Sequence, residues 1–359
     1  MKIVLEASCL MARNQTGIAR ICRELLRGYE PLMTPEDTLG YGFQLRRIRR
    51  WKIRPCGLAA KPLPWAGNWW PPTLDCDLVH AVDHRLPPWK KPCKVVTLHD
   101  LYAELGVNFE KPRARAMQRA VYQDFAARAD LAICVSENTR RDFLRYCDYP
   151  EQRTRVVPPG VGAQFHPRLP QELAAFRQQY GLTRPYLLFV GNLHPNKNLK
   201  RLVEAYGRST VHADFDLAIV GCGRPEDAAA LQQGNQKGRL HVLGSLPEAD
   251  LPLAYAAAAA LMFPSLYEGF GMPILEGMAS GIPVLTSTGG ACPEVASGHA
   301  ELIDPLDAAD LARGMAACLG RTPEQLHAAR AHASRYTWQA TAERTWALYR
   351  EALALPRRV

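Results

Sequence analysis

The chain has 359 residues, 47% hydrophobic and 22% charged, with a net charge of +9. At ~100–200 residues per domain this length predicts two domains, each with its own core, and the balance excludes a disordered chain. The charge predicts an anionic partner and leaves nucleic acid, anionic lipid and phosphorylated substrates open.

The first predicted strand is Ile3-Val4-Leu5. Glu6 falls where a signal peptide would be apolar, which argues against export by that route. A helix is expected over about 17–28, and Thr16-Gly17 before it places N–H groups at a helix start. From 39 to 72 the pattern is irregular and rich in Arg, Trp and Pro. There Arg46, Arg47, Arg49, Arg50, Lys52 and Arg54 surround Trp51, and Trp65, Trp69 and Trp70 follow. A basic, aromatic, acid-free segment suits an anionic membrane surface or a lipid diphosphate. Nucleic-acid binding and a solvated loop are the alternatives.

Further strands are expected at 77–81, 94–98, 131–135 and 156–158, with helices at 113–128 and 137–146. Asp75-Cys76-Asp77 has the form D-x-D but opens a strand instead of ending one, so no metal is expected there. His80, Asp83 and His84 close that strand and read as the polar rim of an acceptor pocket, with a metal site as the alternative. The next strand runs into His99-Asp100, at the carboxyl edge where open α/β sheets bind ligands. A hydrogen-bonded core histidine is the plainer alternative.

Pro158-Pro159-Gly160 and the stretch 167–170 bracket a linker. Beyond it, strands at 186–190, 217–220, 240–243, 260–263, 284–287 and 301–303 alternate with helices at 199–206, 226–234, 250–258, 274–280 and 311–319. Such alternation predicts a parallel sheet covered on both faces. The expected architecture is α/β: two doubly wound, Rossmann-like domains, 1–165 and 166–336, facing a cleft. A last helix within 337–359 is expected to pack back toward the first domain. The ten cysteines form no C-x-x-C and read as buried free thiols in a reducing compartment. The longest apolar run, 251–266, is broken by Pro252, Pro264 and Ser265 and is shorter than the ~20 residues of a spanning helix. The expected location is the cytoplasm, with the inner face of the membrane as a resting surface.

The chemistry concentrates in Glu268-Gly269-Phe270-Gly271-Met272-Pro273-Ile274-Leu275-Glu276. Strand, glycine turn and short helix there aim free N–H groups at an anion, with one glutamate before the turn and one inside the helix. A nucleotide sugar fits that pattern; a solvated Glu276 and an N-capping Glu268 are the alternative. A second piece is Val190-Gly191-Asn192-Leu193-His194-Pro195-Asn196-Lys197. Its loop brings Lys197 where an ammonium would offset charge on a leaving diphosphate, unless Lys197 is a surface lysine.

Tyr267-Glu268-Gly269-Phe270-Gly271-Met272-Pro273, with Glu276, Met278-Ala279, Gly281, Pro283-Val284 and Pro293-Glu294-Val295, resembles the signature of glycosyltransferase family 4. These are retaining enzymes of the two-domain GT-B fold. The resemblance covers most of the chain and is densest from 186 to 295. It implies that Glu268 faces the donor sugar hydroxyls and Glu276 the ribose hydroxyls. It places the backbone from Gly269 through Phe270, Gly271 and Met272 to Ile274 on sugar and diphosphate. It puts Lys197, Gly191 and Asn192 near the diphosphate, His99 near the scissile bond, and Thr16-Gly17 beside phosphate and acceptor. Asn192 departs from the pattern, since an Arg often follows that glycine; Arg20 is the candidate substitute. The implied co-substrate is a nucleotide sugar with no metal and no other cofactor, and the acceptor a glycan or lipid-linked oligosaccharide. The loop sequences look most like bacterial enzymes that use GDP-mannose or a GDP-deoxyhexose for O-antigen or other surface polysaccharide. A UDP-sugar donor, a GT-B epimerase or phosphorylase, and a nucleic-acid-binding protein stay open as alternatives. A dehydrogenase is weaker, because Glu226 stands where the third glycine of G-x-G-x-x-G would fall.

Overall fold

The computed structural model describes residues 1–11, 17–44, 61–65, 75–83, 85–102, 112–221, 231 and 238–358. The chain divides into two compact units, Met1–Gly160 with Thr337–Val359, and Val161–Tyr336. The division falls at Gly160, ahead of the expected 165, because the outgoing and returning chain touch there. A Cβ on Gly160 would lie 2.3 Å from the Trp338 amide nitrogen.

The first unit is built on a parallel sheet of β1 (Lys2–Glu6), β2 (Thr38–Gln44), β3 (Lys61–Trp65), β4 (Leu78–Ala81), β5 (Cys93–Leu98), β6 (Leu131–Cys134) and β7 (Thr154–Val156). Its order is β3-β2-β1-β4-β5-β6-β7, with every pairing parallel. The sheet grows both ways from β1, so the ligand-binding switch point lies at its carboxyl end, at Glu6. Two strands lie in the stretch that reads as irregular. Gly40 and Gly42 alternate with Leu39, Tyr41 and Phe43 in β2, and β3 contains Pro62 and Pro64. Proline is tolerated in β3 because it is an edge strand and its missing N–H groups break no second ladder. The last strand ends at Val156 instead of reaching Pro158.

Helices α1 (Gly17–Tyr29), α2 (Pro112–Arg128) and α3 (Glu137–Tyr146) accompany these strands. Val79, Val96, Trp89, Tyr122, Phe125 and Phe143 form one buried cluster of the unit. The last helix, Trp338–Ala354, packs on α1 inside this unit. The approach is close, since a Cβ on Gly28 would lie 2.4 Å from that of Ala342.

The second unit holds β8 (Tyr186–Val190), β9 (Asp216–Val220), β10 (Leu240–Gly244), β11 (Ala260–Phe263), β12 (Val284–Ser287) and β13 (Glu301–Ile303). The order is β10-β9-β8-β11-β12-β13, again all parallel, with β8 at the switch. Its helices are α4 (Pro170–Gln179), α5 (Leu199–Arg208), α6 (Leu251–Ala256), α7 (Met272–Ala279), α8 (Cys292–Ala296), α9 (Ala308–Leu319) and α10 (Pro323–Ala333). We number Trp338–Ala354 α11. The helix expected at 226–234 lies outside the described residues apart from Leu231. Leu187, Phe189, Leu202, Tyr206, Ile219, Met262 and Met315 fill the core between this sheet and α5 and α9.

Candidate active site

In the second unit, two loops leave the carboxyl ends of neighbouring strands β8 and β11. The first begins at Gly191, whose N–H donates to Val220 O at 2.9 Å. Gly221, at the end of β9, must be glycine, because a Cβ there would fall 1.6 Å from Gly191 O. Asn192 is exposed. His194 caps a short 3-10 turn, Pro195–Lys197, its Nδ1 accepting from the Asn196 N–H at 3.2 Å. That turn delivers Lys197 across to the second loop.

Lys197 Nζ donates to Glu268 Oε1 at 2.5 Å. The side chains are only 19% and 13% exposed, so the pair is largely shielded from screening water. The ammonium also lies 5.2 Å from the Phe263 ring centroid. Sequence reading alone left Lys197 open as a surface lysine; the structure turns it inward. Glu268 does not cap α7: the residue before that helix is Gly271, in the left-handed region at φ 99°, with no side-chain cap. The loop after β12 props Glu268 from the other side. Ala291 N–H donates to Glu268 O at 2.8 Å, and a Cβ on Gly290 would stand 2.3 Å from that oxygen. Burial pushes the Cys292 thiol up to about 12, which keeps it protonated and unsuited to nucleophilic attack.

Gly269, Phe270, Gly271 and Met272 form the turn into α7. Phe270 is buried, 6.0 Å from the Tyr336 ring. Pro273 stands in the first turn, where its missing N–H is no loss, and Ile274 is fully buried. Glu276 is 4% exposed, so it is not a solvated helix residue. Tyr255, in α6, donates to its Oε2 at 2.6 Å. A buried carboxyl held by a buried tyrosine is a positioned group, and Tyr255 carried no signal in the sequence beyond a place in an alanine-rich helix.

In the first unit, His99 follows β5, and its Nε2 lies 2.6 Å from Val82 O, which fixes the proton on that nitrogen. Asp83 follows β4 and is 8% exposed. Glu6 ends the neighbouring strand β1, fully buried, and accepts from Ser8 Oγ. Burial pushes the Glu6 carboxyl up to about 7, against the opposing hydrogen bond from Ser8 and with a further push from Asp83. In the sequence Glu6 stands out only as a charge in an apolar start, and nothing local signals its burial at the carboxyl end of β1.

One expectation is corrected here. His80 forms no pocket rim: it is fully buried, with Nδ1 2.6 Å from Tyr349 Oη and Nε2 2.7 Å from Thr97 Oγ1. Its neighbour in β5 and the closing helix α11 satisfy both ring nitrogens, so a strand-end histidine becomes part of the core. Burial, followed by the neighbouring His99, holds its pKa down to about 3. Gly17 is the exposed first residue of α1, and Arg20 is half-buried one turn on. Thr16, His84, the basic residues from Arg46 to Arg54, Trp69 and Trp70 lie outside the described residues, and of Trp65 only the backbone is described. Asp75 and Asp77 both bind Lys2, through its Nζ at 2.6 Å and its backbone N–H at 2.8 Å. Among the described residues no group of three His, Cys, Asp or Glu could hold a metal ion. No described helix is long and apolar enough to cross a membrane.

Residues 18–165 match the family described as Glycosyltransferase Family 4, and residues 184–321 match Glycosyl transferases group 1. The chain belongs to the family 4 glycosyltransferases. An O-antigen chain mannosyltransferase B from Escherichia coli is 33% identical over 59% of this glycosyltransferase and 58% of that protein. The serotype-specific mannosyltransferase WbdA of E. coli is 26% identical over 71% of this chain and 32% of its own. The matched region therefore spans little more than half of the one and a third of the other. Among solved structures, sucrose-phosphate synthase from Thermosynechococcus elongatus has a TM-score of 0.78 at 21% identity, covering 98% of this chain and 99% of that one. WaaG, a glycosyltransferase involved in lipopolysaccharide biosynthesis, gives 0.75 at 17%, covering 97% and 99%. HepE of Anabaena, solved with UDP and glucose, gives 0.76 at 18%, covering 98% and 100%. The fold of this family 4 glycosyltransferase is GT-B.

Proposed function

We propose that the chain is a retaining hexosyltransferase that moves mannose, or a deoxyhexose such as rhamnose, from a GDP-sugar to a glycan or lipid-linked acceptor in bacterial surface polysaccharide synthesis. The observation that carries this reading is the Lys197–Glu268 pair, where the loops of β8 and β11 meet at the carboxyl edge of the sheet. The E. coli mannosyltransferases it resembles support the sugar and the pathway class.

In this reading the bond from the anomeric carbon to the diphosphate breaks and the acceptor hydroxyl attacks from the same face. The departing phosphate oxygen takes the acceptor's proton, so no protein nucleophile is required. Lys197 and the N–H groups of Phe270, Gly271 and Met272 meet the negative charge that grows on the diphosphate. Glu268 holds the sugar hydroxyls, Glu276 the ribose, and His99 the sugar near the breaking bond. Catalysis is then mostly positioning and charge stabilisation. A UDP-sugar donor is the second reading, favoured by the UDP in the HepE structure.

A thermal-shift series with GDP, UDP, ADP and their sugars decides the donor, because a ligand selective for the native state raises the melting temperature by mass action. Transfer of labelled mannose from GDP-mannose to a lipid-linked acceptor then tests the reaction. Stabilisation by UDP and not GDP would overturn the donor assignment; no transfer from any nucleotide sugar would overturn the activity.

A further inference from the structure

Two asparagines flank Lys197, and both reach across to the loop that carries Glu268. Asn196 Nδ2 donates to Tyr267 O at 2.7 Å, and its own carbonyl accepts from the Leu266 N–H at 2.8 Å. Asn198 Nδ2 donates to Pro264 O at 3.1 Å and to Pro305 O at 2.7 Å, while its Oδ1 accepts from Arg201 Nη1 at 2.8 Å. One side chain thus joins three segments: the loop after β8, the loop after β11 and the chain just beyond β13. Two of the carbonyls belong to prolines. Asn198 is 7% exposed, so these bonds are made in the interior.

The backbone of Asn198 is equally specified. It sits at φ 59°, left-handed, between the 3-10 turn and α5. Only one other non-glycine among the described residues has positive φ, Ser297. Asparagine is among the few side chains that tolerate this conformation. Glycine would tolerate it too, but supplies no amide. The position therefore asks for a left-handed backbone and for two donors and an acceptor in one group. Those demands go beyond the start of α5, which needs only the backbone oxygen of Asn198, accepting from the Leu202 N–H at 3.1 Å. They do set where the preceding residue, Lys197, points.

We propose that Asn196 and Asn198 are positioning residues of the transfer reaction, an amide clamp that holds the Lys197 ammonium against Glu268 and aims it at the donor diphosphate. This rests on the reading of Lys197 as the diphosphate-binding cation. The clamp contributes no charge of its own. It fixes the distance between the two loops so that the ammonium stands in one place, and misplacement by about 1 Å costs on the order of a hundredfold in rate.

The test is a double-mutant cycle on the full chain. Asn198→Gly keeps the left-handed backbone and deletes the amide; Lys197→Ala deletes the cation. Both single variants and the double variant are titrated calorimetrically with GDP and with UDP, and turnover is measured with the matching nucleotide sugar. If the clamp acts through Lys197, Asn198→Gly lowers kcat at least tenfold and weakens nucleoside diphosphate binding. In the Lys197→Ala background it then changes the affinity less than twofold, because coupled residues are non-additive. Asn196→Ala, which leaves the backbone of Asn198 untouched, follows the same pattern with a smaller loss. Equal, additive losses of affinity in both backgrounds would overturn the clamp and leave Asn198 a structural residue. So would unchanged turnover in Asn198→Gly. Full turnover and unchanged affinity in Lys197→Ala alone would instead overturn the reading on which the clamp rests, and binding of neither nucleotide to the wild-type chain would overturn both.

Discussion

At the scale of single residues, the site is a set of charged groups each held by a neighbour. Lys197 and Glu268 hold each other, and Tyr255 holds Glu276. This separates their expected phenotypes. In the proposed reaction Lys197 meets charge as it develops and Glu268 holds the sugar, so Lys197→Ala and Glu268→Ala each lower kcat by about 10²–10³. Each also lowers the melting temperature, because its shielded partner is left unpaired. Wild-type turnover in either variant would sink the assignment. Tyr255→Phe leaves the site's charges intact and removes one hydrogen bond to a carboxylate, worth about 1.5 kcal/mol. The expected result is nucleotide binding weaker by about tenfold with kcat nearly unchanged, read from a titration and a Michaelis series together. The glutamates were legible in the sequence because a glycine turn stood between them and an apolar strand before them. Tyr255 and Asn198 were not, since neither a mid-helix tyrosine nor one amide in an asparagine-rich loop has a periodicity that marks its partner.

Elements were legible where their period was clean. The strands at 186–190, 260–263, 284–287 and 301–303 match the structure residue for residue. The first unit was harder, because β2 is broken by glycines and β3 by prolines, so local propensity contradicts the strand that tertiary pairing imposes. The helix α11 shows what no local pattern reveals. It closes a core begun three hundred residues earlier, through the chain Tyr29 Oη···Tyr349 Oη at 2.8 Å and Tyr349 Oη···His80 Nδ1 at 2.6 Å. Tyr349→Phe would strip the hydroxyl from the middle of that chain and leave buried polar atoms on both sides. The expected cost is about 1–3 kcal/mol, measured as a lower denaturant midpoint at constant slope. Gly28→Val drives a branched side chain into Ala342 and should cost a similar amount by prying α1 from α11. A Gly28→Val protein as stable as wild type would show that this helix pair can shift apart freely.

For the molecule as a whole, two buried groups of opposite sign in the first unit, Glu6 and His80, make stability depend on pH, and burial lowers His332 of the second unit in the same direction as His80. The Glu6 carboxyl is raised from 4.5 to about 7, so the folded chain holds a proton that the unfolded chain has lost between those values. Its contribution is fully present below pH 4.5 and is lost as pH rises through 7. His80 is lowered from 6.5 to about 3, so the unfolded chain gains a proton first. Its contribution is fully present above pH 6.5 and is lost as pH falls toward 3. From these two groups alone, the slopes oppose each other between 4.5 and 6.5, where a flat stability profile is expected. Glu6→Gln removes one side of that balance. The variant should gain stability relative to wild type as pH rises from 5 to 8, by up to about 3 kcal/mol for a shift of this size, and its acid decline should set in already near pH 6.5. Denaturant melts at half-unit intervals from pH 4 to 8 measure both effects. Parallel profiles for the variant and the wild type would show that Glu6 does not retain its proton in the folded chain, and that the carboxyl end of β1 holds an ionised group.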